Sequence, residues 1–366
     1  MAATASRRWT RQPFLLYTVL KMRLPQGVGL LSLATATLPN TVPQGANIWN
    51  TLESIPIATR QEHQAVAVSD KEIAIVGGIV PTREADGFET TSLVQFYNTR
   101  SNTWRRFVTD TPVPVNHPNV AAVDGNIYLL GGLLEADDGA WRAFPESWMY
   151  NPNFDEWTEL EPIPEGEERG SAAVGVYDNI VYMAGGMRAL NPVPEGEQDT
   201  VDFVSAFDIE SLEWLELPEA AKFLPERRDH AAVSVVGNKF YVVGGRCQGQ
   251  LNVEDTVFIL DLDNLEQGWR TSKGRMPTPR GGVVSGTIGS KIYVFGGEGN
   301  TAVGSGGVFD DIEVFDTETE TWDKVGKMVM PRHGGAAVAV DGGIYLPGGG
   351  TEQGGSPVDH FDVYWP

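Results

Sequence analysis

Six short apolar runs along the chain each end in a pair of glycines: IAIVGG, IYLLGG, VYMAGG, FYVVGG, IYVFGG and IYLPGG. The pairs begin at residues 77, 131, 185, 244, 296 and 348, so they are spaced by 54, 54, 59, 52 and 52 residues. A turn such as VDG or VGN precedes each run, and an alternating apolar strand such as HAAVSVV precedes the turn. A hairpin that recurs with a period near 50 residues predicts a repeat protein, and the repeats account for the chain without division into two or three domains.

A second apolar strand follows five of the pairs and leads to a tryptophan. These tryptophans are Trp104, Trp157, Trp214, Trp269 and Trp322. Each repeat therefore reads as four antiparallel strands. The last repeat ends with VDHFDVYW at the chain end, whereas IWNTLESIPI at 48–57 resembles a fourth strand and aligns Trp49 with the others. We predict an all-β, six-bladed propeller over residues 48–366, closed by residues 48–55 as the outer strand of the sixth blade.

The combination of Gly-Gly, a nearby tyrosine and a later tryptophan resembles the kelch repeat. Equivalent tyrosines are Tyr128, Tyr182, Tyr241, Tyr293 and Tyr345, and the first repeat departs from the pattern with Ala74. Glycine suits a place where backbone approaches a neighbouring blade and a Cβ would clash. Tryptophan supplies apolar area between blades. Both features are therefore expected to be structural.

Charge and composition exclude some partners. The chain has 366 residues and a net charge of −22, which argues against DNA, RNA or an anionic membrane as a ligand. The single cysteine, Cys247, excludes an internal disulfide and a zinc site built from several thiolates.

Residues 1–47 differ from the rest and are expected to be a leader outside the propeller. Five basic residues and no acidic one precede Glu53, so removing those five charges takes the net charge from −22 to −27. A basic segment, the run GVGLLSLATATLP and Ala34-Thr35-Ala36 resemble a secretory signal with a start at Met22. We expect a secreted protein without stable membrane insertion once the leader is removed. A mitochondrial leader, or a disordered tail on a cytosolic protein, is the alternative.

Arginine recurs just before the first strand of five repeats. These repeat arginines are Arg60, Arg169, Arg228, Arg280 and Arg332; His117 is the nearest equivalent in the second repeat. In kelch domains that capture acidic peptides, arginines at this position contact the ligand, so the resemblance implies a binding role. A residue that recurs with the repeat can also be a structural signature that bonds carbonyls of the adjacent blade.

The same face of the predicted propeller carries the variable loops that follow the glycine pairs. Long loops on a rigid frame usually carry function. Phe88, Trp141, Phe144 and Met187 lie in these loops without a strand pattern to explain them. The entries to the first strands open on the same face, and His63, His117, His230 and His333 cluster there. We predict substrate contacts from the repeat arginines with Phe88, Trp141 and Phe144. The catalytic candidates are His117, His230 and His333.

Most other chemistry is not supported by the sequence. A metal site is not expected, because the repeat period explains the histidine spacing. Cys247, close to His230, could act as a nucleophile, but a thiol on an inner strand is more often a small buried hydrophobe. Copper radical oxidases also use a propeller and a cysteine, but they resemble seven-bladed rings with additional domains, whereas this sequence predicts six blades. The Glu-xxx-Asp-xxx-His run of iron-binding plant kelch proteins does not occur. No cofactor is expected.

Two functions remain open. Stand-alone kelch propellers of this length resemble those of filamentous fungi, which include hetero-Diels–Alderases of tropolone sesquiterpenoid pathways. That resemblance implies a cofactor-independent enzyme that joins a tropolone quinone methide to a macrocyclic terpene. Its substrate would be a partly apolar small molecule, either neutral or anionic. The alternative is an interaction module that binds an acidic peptide or protein partner through the repeat arginines.

Overall fold

The computed structural model of the protein describes residues 47–82, 87–105, 107–192 and 196–366. The predicted leader lies outside them, except for its last residue, Asn47. The leader, the start at Met22 and the cellular location therefore stay predictions. Within the described ranges, no helix has the length and hydropathy needed to cross a membrane.

Six units of four antiparallel strands form the blades. The strands of the first five blades follow one another along the chain, whereas the sixth blade takes Ile48–Thr51 as its fourth strand. Blade 1 consists of Gln64–Ala67, Glu72–Val76, Val94–Asn98 and Thr103–Trp104. Blade 2 consists of Val120–Val123, Asn126–Glu135, Trp141–Asn151 and Glu156–Leu160. Blade 3 consists of Ala173–Tyr177, Ile180–Ala184, Val204–Asp208 and Glu213–Leu215. Blade 4 consists of Ala232–Val236, Lys239–Val243, Val257–Asp261 and Trp269–Thr271. Blade 5 consists of Val284–Ile288, Lys291–Phe295, Asp311–Asp316 and Thr321–Lys327. Blade 6 consists of Val338–Val340, Gly343–Pro347, Phe361–Trp365 and Ile48–Thr51. The all-β, six-bladed prediction is confirmed.

Shorter elements extend from the blades. Three hairpins follow the glycine pairs: Ile79–Pro81 with Phe88–Thr90, Met187–Leu190 with Gln198–Thr200, and Gly350–Glu352 with Gly355–Pro357. The hairpin of blade 3 also pairs with blade 2, where Trp141 lies opposite Leu190. A short 3₁₀ helix, Leu265–Gln267, precedes the last strand of blade 4.

The N-terminal strand closes the ring as predicted. Ile48–Thr51 pairs antiparallel with the last strand of the chain, with Ile48 opposite Trp365 and Thr51 opposite Asp362. The Trp49 ring lies 5.0 Å from that of Tyr364 and 6.0 Å from that of Phe295 in blade 5. The first described strand therefore completes the last blade. Without it, the strand Phe361–Trp365 would form an unpaired sheet edge.

The glycine pairs contact the following blade. Gly296 in blade 5 has φ of +56°, and a Cβ built on it would lie 2.1 Å from the carbonyl oxygen of Arg332, which leads into blade 6. The N–H of Gly297 donates to that same oxygen at 3.0 Å. Only glycine combines this backbone conformation with so close an approach. The repeated glycine pair is thus a junction between neighbouring blades.

Substituting Gly296 tests this junction. We expect Gly296→Ala to lower the free energy of unfolding by at least about 3 kcal/mol, because backbone strain and a clash with a fixed carbonyl add together. Gly289→Ala is the matched control: its φ is +61°, but nothing lies within 4 Å of the new Cβ. It should cost only about 1 to 2 kcal/mol. Urea unfolding followed by tryptophan fluorescence measures both, and equal losses would contradict the steric explanation.

The repeat tryptophans bridge successive blades at their outer edges. The Trp104 indole N–H donates to the carbonyl of Glu53 at 2.9 Å, and Trp269 donates to Ala221 at 3.1 Å.

Ala74, at the position where other repeats have tyrosine, is fully buried in the cluster that contains Phe96 and Tyr150.

Candidate functional site

The repeat arginines are buried inside the blades. Their exposed fraction is 0% for Arg60, Arg169 and Arg280, 1% for Arg228 and 4% for Arg332. Burial lowers the pKa of Arg60 and of Arg169 to about 10. Their predicted contact with a ligand stays a prediction, but the guanidinium groups are not presented to solvent.

Each of these guanidinium groups instead connects strands of the blade that it leads into. Arg169 donates to the carbonyls of Gly185 at 2.8 Å and Met183 at 3.0 Å, and to Ser205 Oγ at 3.0 Å. The other four have a polar partner in or beside the third strand: Gln95 for Arg60, Thr256 for Arg228, Glu313 for Arg280 and Asp362 for Arg332. The sequence analysis gave a structural role as the alternative to ligand binding, and the contacts of these arginines agree with it. The arginines bond within their own blade, however, and not to the adjacent blade.

The arginine position of the second repeat is occupied by Val115, not by His117. The carbonyl of Val115 accepts the N–H of Gly78 at 2.7 Å, as the carbonyl of Arg332 accepts that of Gly297. His117 lies two residues later. Its equivalence with the repeat arginines was wrong: Val115 lies 16 residues before its glycine pair, as Arg169 does, whereas His117 lies only 14 residues before it.

The residues two positions after the arginine position form what we call the axial ring. It consists of Glu62, His117, Ser171, His230, Gly282 and Gly334, one from each blade, all with φ between +48° and +61°. Five backbone hydrogen bonds of 2.5 to 3.1 Å join one blade to the next, for example from the His117 N–H to the Glu62 carbonyl. At the sixth junction the His230 N–H donates to Ser171 Oγ at 3.3 Å. The ring brings together side chains that are more than 50 residues apart in sequence.

Three of the ring side chains meet. His117 Nε2 lies 3.0 Å from His230 Nε2 and 3.1 Å from Glu62 Oε2, and His230 Nε2 lies 3.7 Å from that oxygen. The other ring nitrogens are held by neighbouring residues: His117 Nδ1 lies 2.7 Å from Asn116 Oδ1, and His230 Nδ1 lies 2.6 Å from Asp229 Oδ1. Both imidazoles are therefore fixed in orientation.

A charged layer adjoins these three residues. Arg246 bonds to Asp229 and to Glu298, and its NH2 lies 3.2 Å from His230 Nε2. Asp229 also accepts hydrogen bonds from Gln198 and Thr200. We call Glu62, His117, Asp229, His230, Arg246 and Glu298, together with His333, the mouth cluster.

The charges of the mouth cluster shift the pKa values of its members. Burial opposes ionisation of Glu62, but His117 and His230 outweigh it and hold the pKa of Glu62 well below its usual range. Burial lowers the pKa of His117. Burial would also lower the pKa of His230, but its bonds to Asp229 and Glu62 leave that pKa raised. The two histidines thus differ in proton affinity.

His333 and His63 occupy different surroundings. His333 Nε2 lies 2.8 Å from the carbonyl of Glu352, while its Nδ1 is buried without a hydrogen bond, 3.6 Å from Glu298 Oε2 and 3.9 Å from Glu62 Oε1. His63 contacts the carbonyl of Pro347 at 3.1 Å, and burial lowers its pKa to about 3.

A buried apolar cluster, which we call the apolar patch, borders the mouth cluster. It consists of Ile79, Leu133, Trp141 and Met187, with Phe88 packed against it. The Trp141 ring lies 5.4 Å from that of His117. Phe144, by contrast, belongs to the core cluster between blades 1 and 2. Among the aromatic residues predicted to contact substrate, Trp141 and Phe88 therefore share this patch and Phe144 does not.

The sequence analysis missed Glu62, Asp229, Arg246 and Glu298. A signal was present: Arg246 and Glu298 directly follow their glycine pairs, where three other repeats have Ile79, Leu133 and Met187. A charged residue in an otherwise apolar repeat position indicates a local departure from the repeat. Cys247, next to Arg246, is half-buried, and burial raises the pKa of its thiol.

A groove of about 870 Å³ lies elsewhere, along the outer strands of blades 4 and 5. It is lined by exposed polar side chains such as Arg270, which pairs with Glu320 at 2.5 Å, and by Trp322. Its charges are matched at the surface, so we place the candidate site at the mouth cluster, where buried charges converge.

Comparison with known proteins agrees with this architecture. The KLHDC2/KLHL20/DRC7 Kelch-repeats domain matches residues 46–245 and 230–364. The chain belongs to the kelch-repeat family. Kelch-like protein terF of Aspergillus terreus is 40% identical over 356 residues, which cover 96% of this chain and 75% of that protein.

Other kelch proteins are more distant. Kelch domain-containing protein 3 of Homo sapiens is 27% identical over 267 residues, which cover 67% of this chain and 66% of that protein. The chain spans 37% of Kelch-like protein 41a of Danio rerio, at 24% identity. The solved structure titled "Structure of YjhT" matches with a TM-score of 0.66 at 19% identity, covering 84% of this chain and 95% of that one. That likeness concerns the fold alone.

Proposed function

We propose that this kelch propeller is a small-molecule enzyme of secondary metabolism, with its site where the mouth cluster meets the apolar patch. The observation that carries the proposal is the contact between a polar triad, with two buried histidines, and an aromatic side chain: His117 lies beside Trp141 and within hydrogen-bond distance of Glu62 and His230. Small-molecule sites combine apolar walls with a few convergent polar groups in this way.

The proposed reaction is a hetero-Diels–Alder addition, as in the fungal kelch enzymes that the sequence resembles. Similarity to kelch-like protein terF supports the choice of fungal kelch proteins for comparison. A hydroxymethyl tropolone first loses water: the exocyclic C–O bond breaks, the leaving hydroxyl takes up a proton, and the tropolone hydroxyl gives one up. The resulting quinone methide forms one C–C and one C–O bond with a terpene alkene. Atoms and electrons balance without an oxidant or reductant.

The mouth residues have distinct roles in this proposal. His117 and His230 hydrogen-bond the tropolone oxygens and pass the proton from the ring hydroxyl to the leaving hydroxyl. Asn116 and Asp229 position the two imidazoles. Trp141 and the neighbouring apolar side chains hold the terpene against the tropolone, which raises the effective concentration of the two reactants.

The peptide-binding alternative receives no comparable support. It depended on guanidinium groups that reach a ligand, whereas the repeat arginines are buried and bonded within the blades. An acidic peptide remains the appropriate control ligand.

Thermal unfolding with a hydroxymethyl tropolone and, separately, an acidic peptide tests the proposal. At a concentration 100 times its dissociation constant, the tropolone is expected to add about 2.7 kcal/mol to the free energy of unfolding. Adding a macrocyclic terpene should then yield the adduct, detected by mass spectrometry. Trp141→Leu should abolish the stabilisation, because the wall that contacts the ligand is lost.

Trp214→Leu is the control, because Trp214 is a repeat tryptophan that donates to the carbonyl of Glu161 at the outer edge. It should lower the unfolding temperature of the free protein but retain the tropolone-induced increase. Stabilisation by the peptide alone, or an equal response of both tryptophan variants to the tropolone, would overturn the proposed site.

A further inference from the structure

Three acceptor atoms converge in the mouth cluster. The Asn116 amide donates through Nδ2 to Thr90 Oγ1 at 2.8 Å, which turns its Oδ1 toward His117 Nδ1. Asp229 accepts from His230 Nδ1 in the same way. Each Nδ1 therefore carries a hydrogen, so an imidazole in its neutral form directs the lone pair of Nε2 toward Glu62 Oε2 and toward the other imidazole.

This arrangement matches the inner surroundings of a metal ion. The three acceptors are separated by 3.0, 3.1 and 3.7 Å. Ligand atoms bound to one ion at 2.0 to 2.2 Å lie about 3 to 3.6 Å apart. Metal-binding histidines typically donate their other ring N–H to a carboxylate or carbonyl, as His230 and His117 do here. The protein therefore has both the ligand atoms and the groups that orient them.

The charge of the mouth cluster supports a dication. The cluster contains three carboxylates, Glu62, Asp229 and Glu298, and one guanidinium, Arg246, so its formal charge is −2 when both imidazoles are neutral, as metal ligands must be. Buried charge is costly unless it is paired. One divalent cation would neutralise this excess.

His333 provides an independent indication. Its Nδ1 is buried without a hydrogen-bond partner, and its Nε2 is engaged by the carbonyl of Glu352. In the neutral tautomer this leaves a lone pair facing Glu298 Oε2 at 3.6 Å and Glu62 Oε1 at 3.9 Å. Acceptors that face one another without a donor between them favour a cation nearby, either a proton on Nδ1 or a metal ion.

Arg246 competes with a metal for one of these lone pairs. Its NH2 lies 3.2 Å from His230 Nε2. Because the guanidinium group is planar and rigid, it must shift as a whole away from His230 when the metal binds, which loosens its bonds to Asp229 and Glu298.

We propose that Glu62, His117 and His230 bind one divalent transition-metal ion of the zinc class. Two imidazoles and one carboxylate are a ligand set for catalytic zinc, which leaves a fourth position for water or substrate. A substrate with two adjacent oxygens, such as a tropolone, would fit an ion with open positions. This proposal goes beyond the proposed function, which needs no metal: in the metal-bound protein His117 and His230 hold the ion, so the proton-transfer role given to them above applies to the metal-free protein. It also departs from the sequence-based expectation that there is no cofactor.

Metal retention by the full chain, produced without a polyhistidine tag, tests the site. Protein treated with a chelator is loaded with Zn²⁺, dialysed and assayed by elemental analysis, and Co²⁺ loading is followed by visible absorption. We expect about one equivalent of metal per chain. Glu62→Gln, His117→Gln and His230→Gln should each lose it, and Asp229→Asn, which removes one charge and weakens the positioning of His230 but leaves the three ligands in place, should weaken binding by about 10- to 100-fold.

His360→Gln is the matched control, because His360 bonds to Asp362 away from the mouth cluster and should retain the metal. Circular dichroism establishes that each variant is folded. Wild-type protein that retains less than about a tenth of an equivalent overturns the proposal whatever the variants do, and so does retention that all three ligand variants share. In either case a proton on an imidazole, rather than a metal, holds the cluster together.

Metal retention and enzymatic activity can fail separately. Tropolone binding and adduct formation are measured with both the metal-free and the Zn²⁺-loaded protein. Absence of product from both forms contradicts the proposed function but leaves the measured metal stoichiometry standing. Product from a protein that binds no Zn²⁺ contradicts the metal site alone.

Discussion

A chain that begins at residue 53 is expected to lose at least about 5 kcal/mol of its free energy of unfolding, which is comparable with the total stability of many domains. The truncation removes Ile48–Thr51, the fourth strand of blade 6, together with the Trp49 ring that packs on Tyr364 and Phe295. Loss of a large packed aromatic side chain alone costs about 3 to 5 kcal/mol. The unpaired edge of Phe361–Trp365 should also promote association between chains. Urea unfolding and light scattering measure the two effects.

A chain that begins at residue 47 is the control, because it keeps the closing strand while omitting the segment before it. We expect its unfolding free energy to match that of the full chain to within about 0.5 kcal/mol. The substitution Trp49→Ala should fall between the two truncated chains. Equal stability of the chains that begin at 47 and at 53 would contradict closure of the ring by this strand.

Arg280→Leu should destabilise the protein by about 3 to 5 kcal/mol. The Arg280 NH1 lies 3.1 Å from Glu313 Oε2, and both side chains are fully buried. Removing the guanidinium leaves the Glu313 carboxylate with Thr278 and the half-exposed Lys324 as remaining partners. Urea unfolding of Arg280→Leu, Glu313→Leu and the double variant should give a coupling energy of about 1 to 3 kcal/mol.

Arg270→Leu is the matched control for Arg280→Leu. Arg270 pairs with Glu320 at 2.5 Å, but half of its side chain is exposed, so the loss should stay below about 1 kcal/mol. A structural role for Arg280 predicts that its substitution acts through stability. An Arg280→Leu protein of unchanged stability that no longer binds ligand would instead establish the ligand-binding role inferred from the sequence.

The repeat arginines and the histidines near them show what the repeat pattern predicts about a side chain and what it does not. Both residue types were visible at the strand starts, yet they have different environments: Arg169 is bonded to carbonyls inside blade 3, whereas His117 and His230 face each other on the axial ring. A position that recurs in most repeats serves the packing that all blades share. Glu298 is informative for the opposite reason, because it breaks the pattern that Ile79 and Leu133 follow.

The sequence by itself determined the six blades, their strand order and the closure by Trp49, because these depend on local alternation and on a period read directly from the chain. Only the tertiary structure decided which side chains meet. Glu62, His117 and His230 lie more than 50 residues apart, and closure of the ring brings their acceptor atoms within 3.7 Å. The direction of each side chain depends on a positive φ and on hydrogen bonds between blades, which no single repeat encodes.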